Sequence, residues 1–212
     1  VTVPHVAAAD IERARDRIRS VLAPTPLFRL DVESAAEIWI KLENLQPIGS
    51  FKVRGSGNAM LSADRATLEQ GAFTASAGNM AQGVAWWARL LGVPATAVVP
   101  EHAPVAKTSA VERLGGRVVR VPFDRWWGML SGAETPDLPG LFIHPVADAA
   151  VVAGNGTLAL ELLDVLPKVD TVLVPWGGGG LSCGIASALR ELQPGASVIG
   201  CEAETATPLT SS

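Results

Sequence analysis

The chain has 212 residues, is 48% apolar, and carries 17 basic against 21 acidic side chains for a formal net charge of −4 at pH 7. That length allows one large domain or two small ones, and the apolar content excludes a disordered chain. The acidic balance, with no Lys/Arg run, excludes nucleic acid or an anionic membrane as the main partner.

From the start of the chain, Asp10 to Leu22 places Ile11, Ala14, Ile18, Val21 and Leu22 on one stripe, which predicts an amphipathic helix ended by Pro24-Thr25-Pro26. Residues 1–20 are mixed and become charged from Asp10 to Arg19, unlike a signal peptide. Ile38–Leu42 reads as a short strand and Val53–Leu61 as a helix, and Ala72–Ser76 and Met80–Leu91 repeat the pair. Ala95–Val99 is a buried strand, and the apolar run Val93–Pro100 is far too short to span a bilayer. A helix at Pro104–Leu114, a strand at Arg117–Val121 and a helix at Asp124–Leu130 follow, then a polar Gly/Pro loop at Ser131–Gly140, the expected place for a boundary. Leu141–His144 (strand), Ala150–Leu166 (helix), Thr171–Pro175 (strand), Leu181–Leu192 (helix) and Ser197–Cys201 (strand) complete the pattern. Apolar strands alternating with helices predict an α/β fold with parallel strands covered on both faces.

Cys183 and Cys201 belong to no C-x-x-C pair, which predicts quiet thiols in a reducing cytosol. His5, His102 and His144 lack metal-ligand spacing, so no zinc site is expected. The tryptophan pairs Trp86-Trp87 and Trp126-Trp127 read as packing.

Three junctions carry chemistry. In Leu42-Glu43-Asn44-Leu45-Gln46-Pro47-Ile48-Gly49-Ser50-Phe51-Lys52-Val53-Arg54-Gly55 a strand ends, the chain turns, and a lysine opens a helix. Lysine is scarce in this chain (Lys41, Lys52, Lys107, Lys168). Lys52 reads either as a partly desolvated amine able to attack a carbonyl, or as a helix-terminal lysine with its stem on Phe51 and its ammonium in water. At Val174-Pro175-Trp176-Gly177-Gly178-Gly179-Gly180-Leu181, four glycines join a strand to a helix, and free N–H groups with the positive dipole end make a phosphate cradle. The dinucleotide fingerprint fails there because Ser182 or Cys183 falls at its last glycine, although Glu202 stands where a ribose-binding acid would. The lysine and Ser/Thr of a P-loop are absent. At Thr74-Ala75-Ser76-Ala77-Gly78-Asn79 a third strand-to-helix turn suits a small carboxylate, or Ser76 or Asn79 acts as a plain cap.

Taken in order, Gly-Ser-Phe-Lys-x-Arg-Gly, Ser-Ala-Gly-Asn and Gly-Gly-Gly-Gly-Leu resemble the serine/threonine dehydratase family of pyridoxal-phosphate enzymes. Thr25-Pro26-Leu27, Lys41–Gln46 and Ala153-Gly154-Asn155-Gly156-Thr157 add to the resemblance, which covers essentially the whole chain. It implies a two-domain α/β architecture of fold type II, like the tryptophan synthase β-chain, with parallel or mixed sheets covered by helices. Residues 1–52 and 146–212 would form a large cofactor domain and 53–145 a small inserted one.

The resemblance further implies that Lys52 forms the internal aldimine with pyridoxal 5'-phosphate and removes the α-proton. Phe51 would pack on the pyridine ring and Asn79 would bond its hydroxyl. Ser76, Ala77 and Asn79 would hold the substrate carboxylate, and Gly177, Gly178, Gly179, Gly180 and Leu181 the phosphate. The implied reaction is β-elimination from L-threonine or L-serine to a 2-keto acid and ammonia, with a catalytically impaired binding relative and a serine-type racemase as alternatives. A nicotinamide oxidoreductase rests on Glu202 alone. Racemising relatives tend to carry serine at the position of Ala77, so alanine favours elimination. Departures are Met80 for a usual histidine, Val146-Ala147 for a polar or Phe-Asp segment, and Asn155 for a usual glutamine. Glu202-Ala203-Glu204 lacks the acidic cluster of cation-binding relatives, so no metal is expected. Family members continue past Ser212 with a stretch that closes the large domain, which implies a fragment, a shortened relative, or a remainder that comes from another chain; a homodimer is left open.

Overall fold

The computed structural model describes residues 2–134, 136–207 and 210. It opens with α1 (Ala8–Ile18), an antiparallel hairpin of β1 (Leu27–Arg29) and β2 (Trp39–Lys41), and a single 3-10 turn at Glu43–Leu45. Then come α2 (Lys52–Ser62), α3 (Arg65–Glu69), β3 (Ala72–Ala75), α4 (Asn79–Leu91), β4 (Ala95–Pro100), α5 (Val105–Arg113), β5 (Arg117–Val121) and α6 (Phe123–Ser131). The chain closes with β6 (Leu141–Phe142), α7 (Ala149–Val165), β7 (Thr171–Pro175), α8 (Gly180–Leu192) and β8 (Ser197–Cys201). Among these residues no helix is long and apolar enough to cross a membrane. Thr135, inside the expected boundary loop, and Ser212 lie outside the described residues.

The main sheet is parallel, in the order β5-β4-β3-β6, and β7 and β8 form a separate parallel pair. β6 pairs only through Leu141 and Phe142, because His144 turns its ring into the following loop instead of continuing the expected strand. Cover on both faces holds for β3, whose residues are all buried. The β7–β8 pair differs. Val172, Val174 and Val198 pack in the core that contains Leu181, Ile185 and Leu189 of α8. Their neighbours Leu173 and Ile199, partners across the two strands, are 66% and 48% exposed.

The helices are placed by α7. Val151 through Leu162 of this helix are all buried, so it is enclosed on every side and mostly apolar, as a central helix must be. Two neighbours approach it to backbone contact through glycines. A methyl on Gly154 would lie 2.6 Å from the Arg54 carbonyl oxygen, and one on Gly184 2.5 Å from that of Val152 and 2.7 Å from the Gly156 nitrogen. Helices α2 and α8 are thus both clamped on α7. Gly154→Ala is expected to cost about 1–3 kcal/mol by overpacking, read as a lowered urea midpoint. Gly195→Ala, where a methyl meets nothing within 4 Å, is the near-neutral control.

Candidate active site

Lys52 is the first residue of α2. It sits there because Gly49, at φ +67°, turns the chain after the 3-10 turn, and Val53 and Met60 then anchor the helix in the core. Its partly buried ammonium donates to the Pro145 carbonyl at 2.7 Å and lies 5.4 Å from the centre of the Phe51 ring. Among the described residues it has no carboxylate partner. Burial therefore acts unopposed and lowers its pKa from 10.5 to about 8.

Two residues further on, the opposite arrangement holds. Arg54 is 1% exposed and forks onto two carboxylates: Nε and Nη2 reach Glu43 at 2.7 and 2.8 Å, and Nη1 and Nη2 reach Glu161 of α7 at 2.6 and 2.8 Å. Thr157 adds a contact at 3.2 Å, while Lys41 pairs with Glu161 and caps the Thr25 carbonyl. Two cations and two anions make the cluster neutral. Burial pulls Glu43 upward, yet the Arg54 fork and charge, the Thr25 hydroxyl and Lys41 outweigh it and hold the carboxyl below its usual value. Burial also opposes the Arg54 charge, and the two glutamates overcome it. The cluster ties the segment before Lys52, the first turn of α2 and α7 together.

The glycine loop stands next to the amine. Gly179 caps α8 in the left-handed region at φ +86°, and the first N–H groups of α8 have no partner within the helix. A methyl on Gly178 would lie 2.5 Å from a Val146 side-chain carbon, one on Gly180 3.2 Å from the Val146 carbonyl, and one on Gly177 would meet nothing within 4 Å. Val146 follows Pro145, so the lysine amine and the glycine loop both meet the same short segment. Leu181 is buried, and Phe51 packs on the same core. Asn155 lies beneath the loop with its amide nitrogen 3.4 Å from the Gly180 carbonyl and its oxygen buried without a partner.

The Ser76–Asn79 turn lies at the carboxyl end of β3, where α4 begins. Ser76 Oγ accepts from the Gly78 amide at 3.1 Å, so this hydroxyl orders its own turn. Ala77 is half-buried; Asn79 is exposed, and its side chain makes no hydrogen bond among the described residues. One turn into α4, a methyl on Gly83 would lie 2.6 Å from Ser56 Oγ and 3.3 Å from the Lys52 carbonyl. Trp87 Nε1 donates to the Val53 carbonyl at 2.7 Å, so α4 rides on the first turns of α2. Met80 is core. Glu202, the one support for a ribose site, accepts from the Thr210 amide and hydroxyl.

The structure thus brings Lys52, Phe51 and the glycine loop to one place and sets the Ser76–Asn79 turn on the helix packed against α2. Sequence reasoning missed the Arg54 cluster and His144. A glutamate in the apolar run Leu160-Glu161-Leu162 was the signal for the first, because a buried charge demands a partner.

A family profile described as pyridoxal-phosphate dependent enzyme matches residues 18–212. The L-threonine ammonia-lyase of Geobacter sulfurreducens is 44% identical over 201 residues, which are 92% of this chain and 50% of that protein. The crystal structure of a threonine deaminase from T.th. superposes with a TM-score of 0.85 at 35% identity, over 95% of this chain and 67% of that one. The serine racemase of Dictyostelium discoideum gives 0.84 at 31% identity, over 95% and 67%. The chain spans half the length of the ammonia-lyase it matches.

Proposed function

This chain belongs to the pyridoxal-phosphate-dependent enzyme family, and we propose that it acts in the β-elimination of water from L-threonine or L-serine, giving a 2-keto acid and ammonia. The observation that carries this reading is the Lys52 amine, desolvated without a counter-charge and joined to a glycine cradle by the Pro145–Val146 step.

The residues present fit the cofactor. Side chains are absent where a phosphate must approach the backbone, and the first N–H groups of α8 stand free to donate to it. Amides at Gly177, Gly178, Gly179, Gly180 and Leu181 would hold the phosphate, Phe51 would pack on the ring, and Asn79 would bond the ring hydroxyl. When bound, the cofactor withdraws electron density from the substrate α-carbon. Ser76, Ala77 and Asn79 hold the carboxylate at the mouth of α4. Lys52 Nζ takes the α-proton, the β-hydroxyl leaves as water, and the released enamine hydrolyses to the keto acid and ammonia. Alanine at 77 has no proton to exchange from the opposite face, which supports elimination over racemisation. The main sheet, which runs from Ala72 to Phe142, supports setting 53–145 apart as a small domain. Both cysteines are free, in keeping with a reducing cytosol.

The test is to purify the protein with added pyridoxal phosphate, record its visible spectrum, and assay keto-acid release from L-threonine and L-serine. A visible band with keto acid is the expected result. A band without keto acid would leave only cofactor binding, D-serine in place of keto acid would make the protein a racemase, and absence of the band would sink the assignment.

A further inference from the structure

Resting on the reading of Lys52 as the reacting amine, we propose that His144 is a positioning residue: its neutral ring sets the peptide plane whose carbonyl aims the Lys52 amine. His144 Nδ1 lies 3.1 Å from the Val146 nitrogen and 2.8 Å from the Ala147 nitrogen. Backbone amides only donate, so Nδ1 accepts both bonds and carries no proton. The ring proton is then on Nε2, which donates to the Leu130 carbonyl of α6 at 3.0 Å. Both nitrogens are spent in one tautomer.

The link to Lys52 runs through a single peptide unit. The Val146 N–H and the Pro145 C=O belong to the same plane, and no peptide bond here is cis. In a trans plane these two groups point in opposite directions, so anchoring the N–H on Nδ1 fixes where the carbonyl points. It points at Lys52 Nζ, 2.7 Å away. One N–H of the amine is thereby engaged, which orients its lone pair. Proline supplies no amide of its own and has a fixed φ, so Pro145 cannot compete for the ring. Asp148 is the nearby charge, and its carboxylate accepts from the Ala150 and Val151 amides at 2.8 and 3.3 Å, capping α7. The same loop places Val146 against Gly178 and Gly180. His144 therefore registers the amine against the phosphate cradle without touching either.

Two amide replacements separate the two ends of the ring. In His144→Asn the side-chain oxygen falls near the Nδ1 position and can accept both loop amides; in His144→Gln the amide nitrogen can reach Leu130, and its oxygen is then held away from the Nδ1 position. The readout is the rate at which pyridoxal phosphate captures Lys52 in the full chain, fixed by borohydride, located by peptide mass and followed across pH. We expect His144→Gln to slow capture about tenfold or more and to shift its pH midpoint, and His144→Asn to stay within about threefold of wild type. Equal behaviour of the two variants overturns the inference while leaving Lys52 its role. No capture at Lys52 in the wild-type chain sinks the functional reading and the inference with it. Should His144→Gln fail to fold, nitrogen NMR of the wild-type ring decides: a bare Nδ1 is expected, and a proton on Nδ1 overturns the inference.

Discussion

Lys52→Ala is expected to lower keto-acid release by about four orders of magnitude while the chain stays folded. The residue begins a helix whose anchors are Val53, Met60 and the Arg54 cluster, none of which depends on the amine. Stability should in fact rise. The Lys52 pKa is depressed to about 8, so the folded chain binds fewer protons than the unfolded one between there and the ordinary 10.5. Across that window stability climbs with pH; below pH 8 the amine is charged in both states and its burial cost stands in full. Lys52→Met should therefore gain about 1–2 kcal/mol at pH 7, discounted for partial exposure, and almost nothing above pH 10.5. Urea unfolding at the two pH values checks this. Lost turnover together with raised stability separates a chemical role from a structural one, and a variant that loses both would contradict the reading.

The second large effect is on Arg54. Arg54→Met removes four charge-assisted bonds to Glu43 and Glu161 and leaves the two carboxylates with Lys41 as their one cation. A cost of about 3–5 kcal/mol is expected, a large share of the 5–15 kcal/mol that holds a typical domain. Adding Glu43→Gln should restore much of it, because the cluster is then neutral again, with Lys41 still paired to Glu161. Arg54→Lys should rescue poorly, since one ammonium cannot fork onto two carboxylates. The depressed Glu43 pKa sets the acid side: its stabilising contribution is present above the usual carboxylate value and is lost as pH falls through the folded one. Chemical denaturation of the single and double variants at pH 7 measures the difference.

Much of this was legible in the chain. The strand-to-helix junctions at Ser76–Asn79 and Gly177–Leu181 show because glycine marks where a short apolar strand gives way to a helical repeat, and those junctions carry two of the three candidate site segments. Strand β2 falls inside the expected strand Ile38–Leu42, whereas β1 has three residues, too few for alternation to register, and leaves no signal of its own. Helix α3, only Arg65–Glu69, is held by Asp64 capping the Thr67 amide, a signal present but short. The Arg54 cluster joins residues 11 and 107 positions apart, and only folding reveals such partners. The His144 contacts are local, yet they depend on which way a peptide plane faces, and no side-chain pattern encodes that.

The one-sided β7–β8 pair has a consequence for how the molecule opens. Two strands alone are marginal, and here a single helix layer supports them while Leu173 and Ile199 stay largely exposed and gain little from burial. The interior strand β3, bonded on both edges, is the opposite case. Local unfolding free energy should therefore fall from β3 toward β7 and β8. The glycine loop hangs from the end of β7, at the soft end of that gradient, whereas Lys52 is rooted at the stiff end. An anion gripped by the loop, as proposed, would protect the amides of both weak strands from solvent exchange, and a phosphate bound there would support the fold as well as serve as a handle for the cofactor.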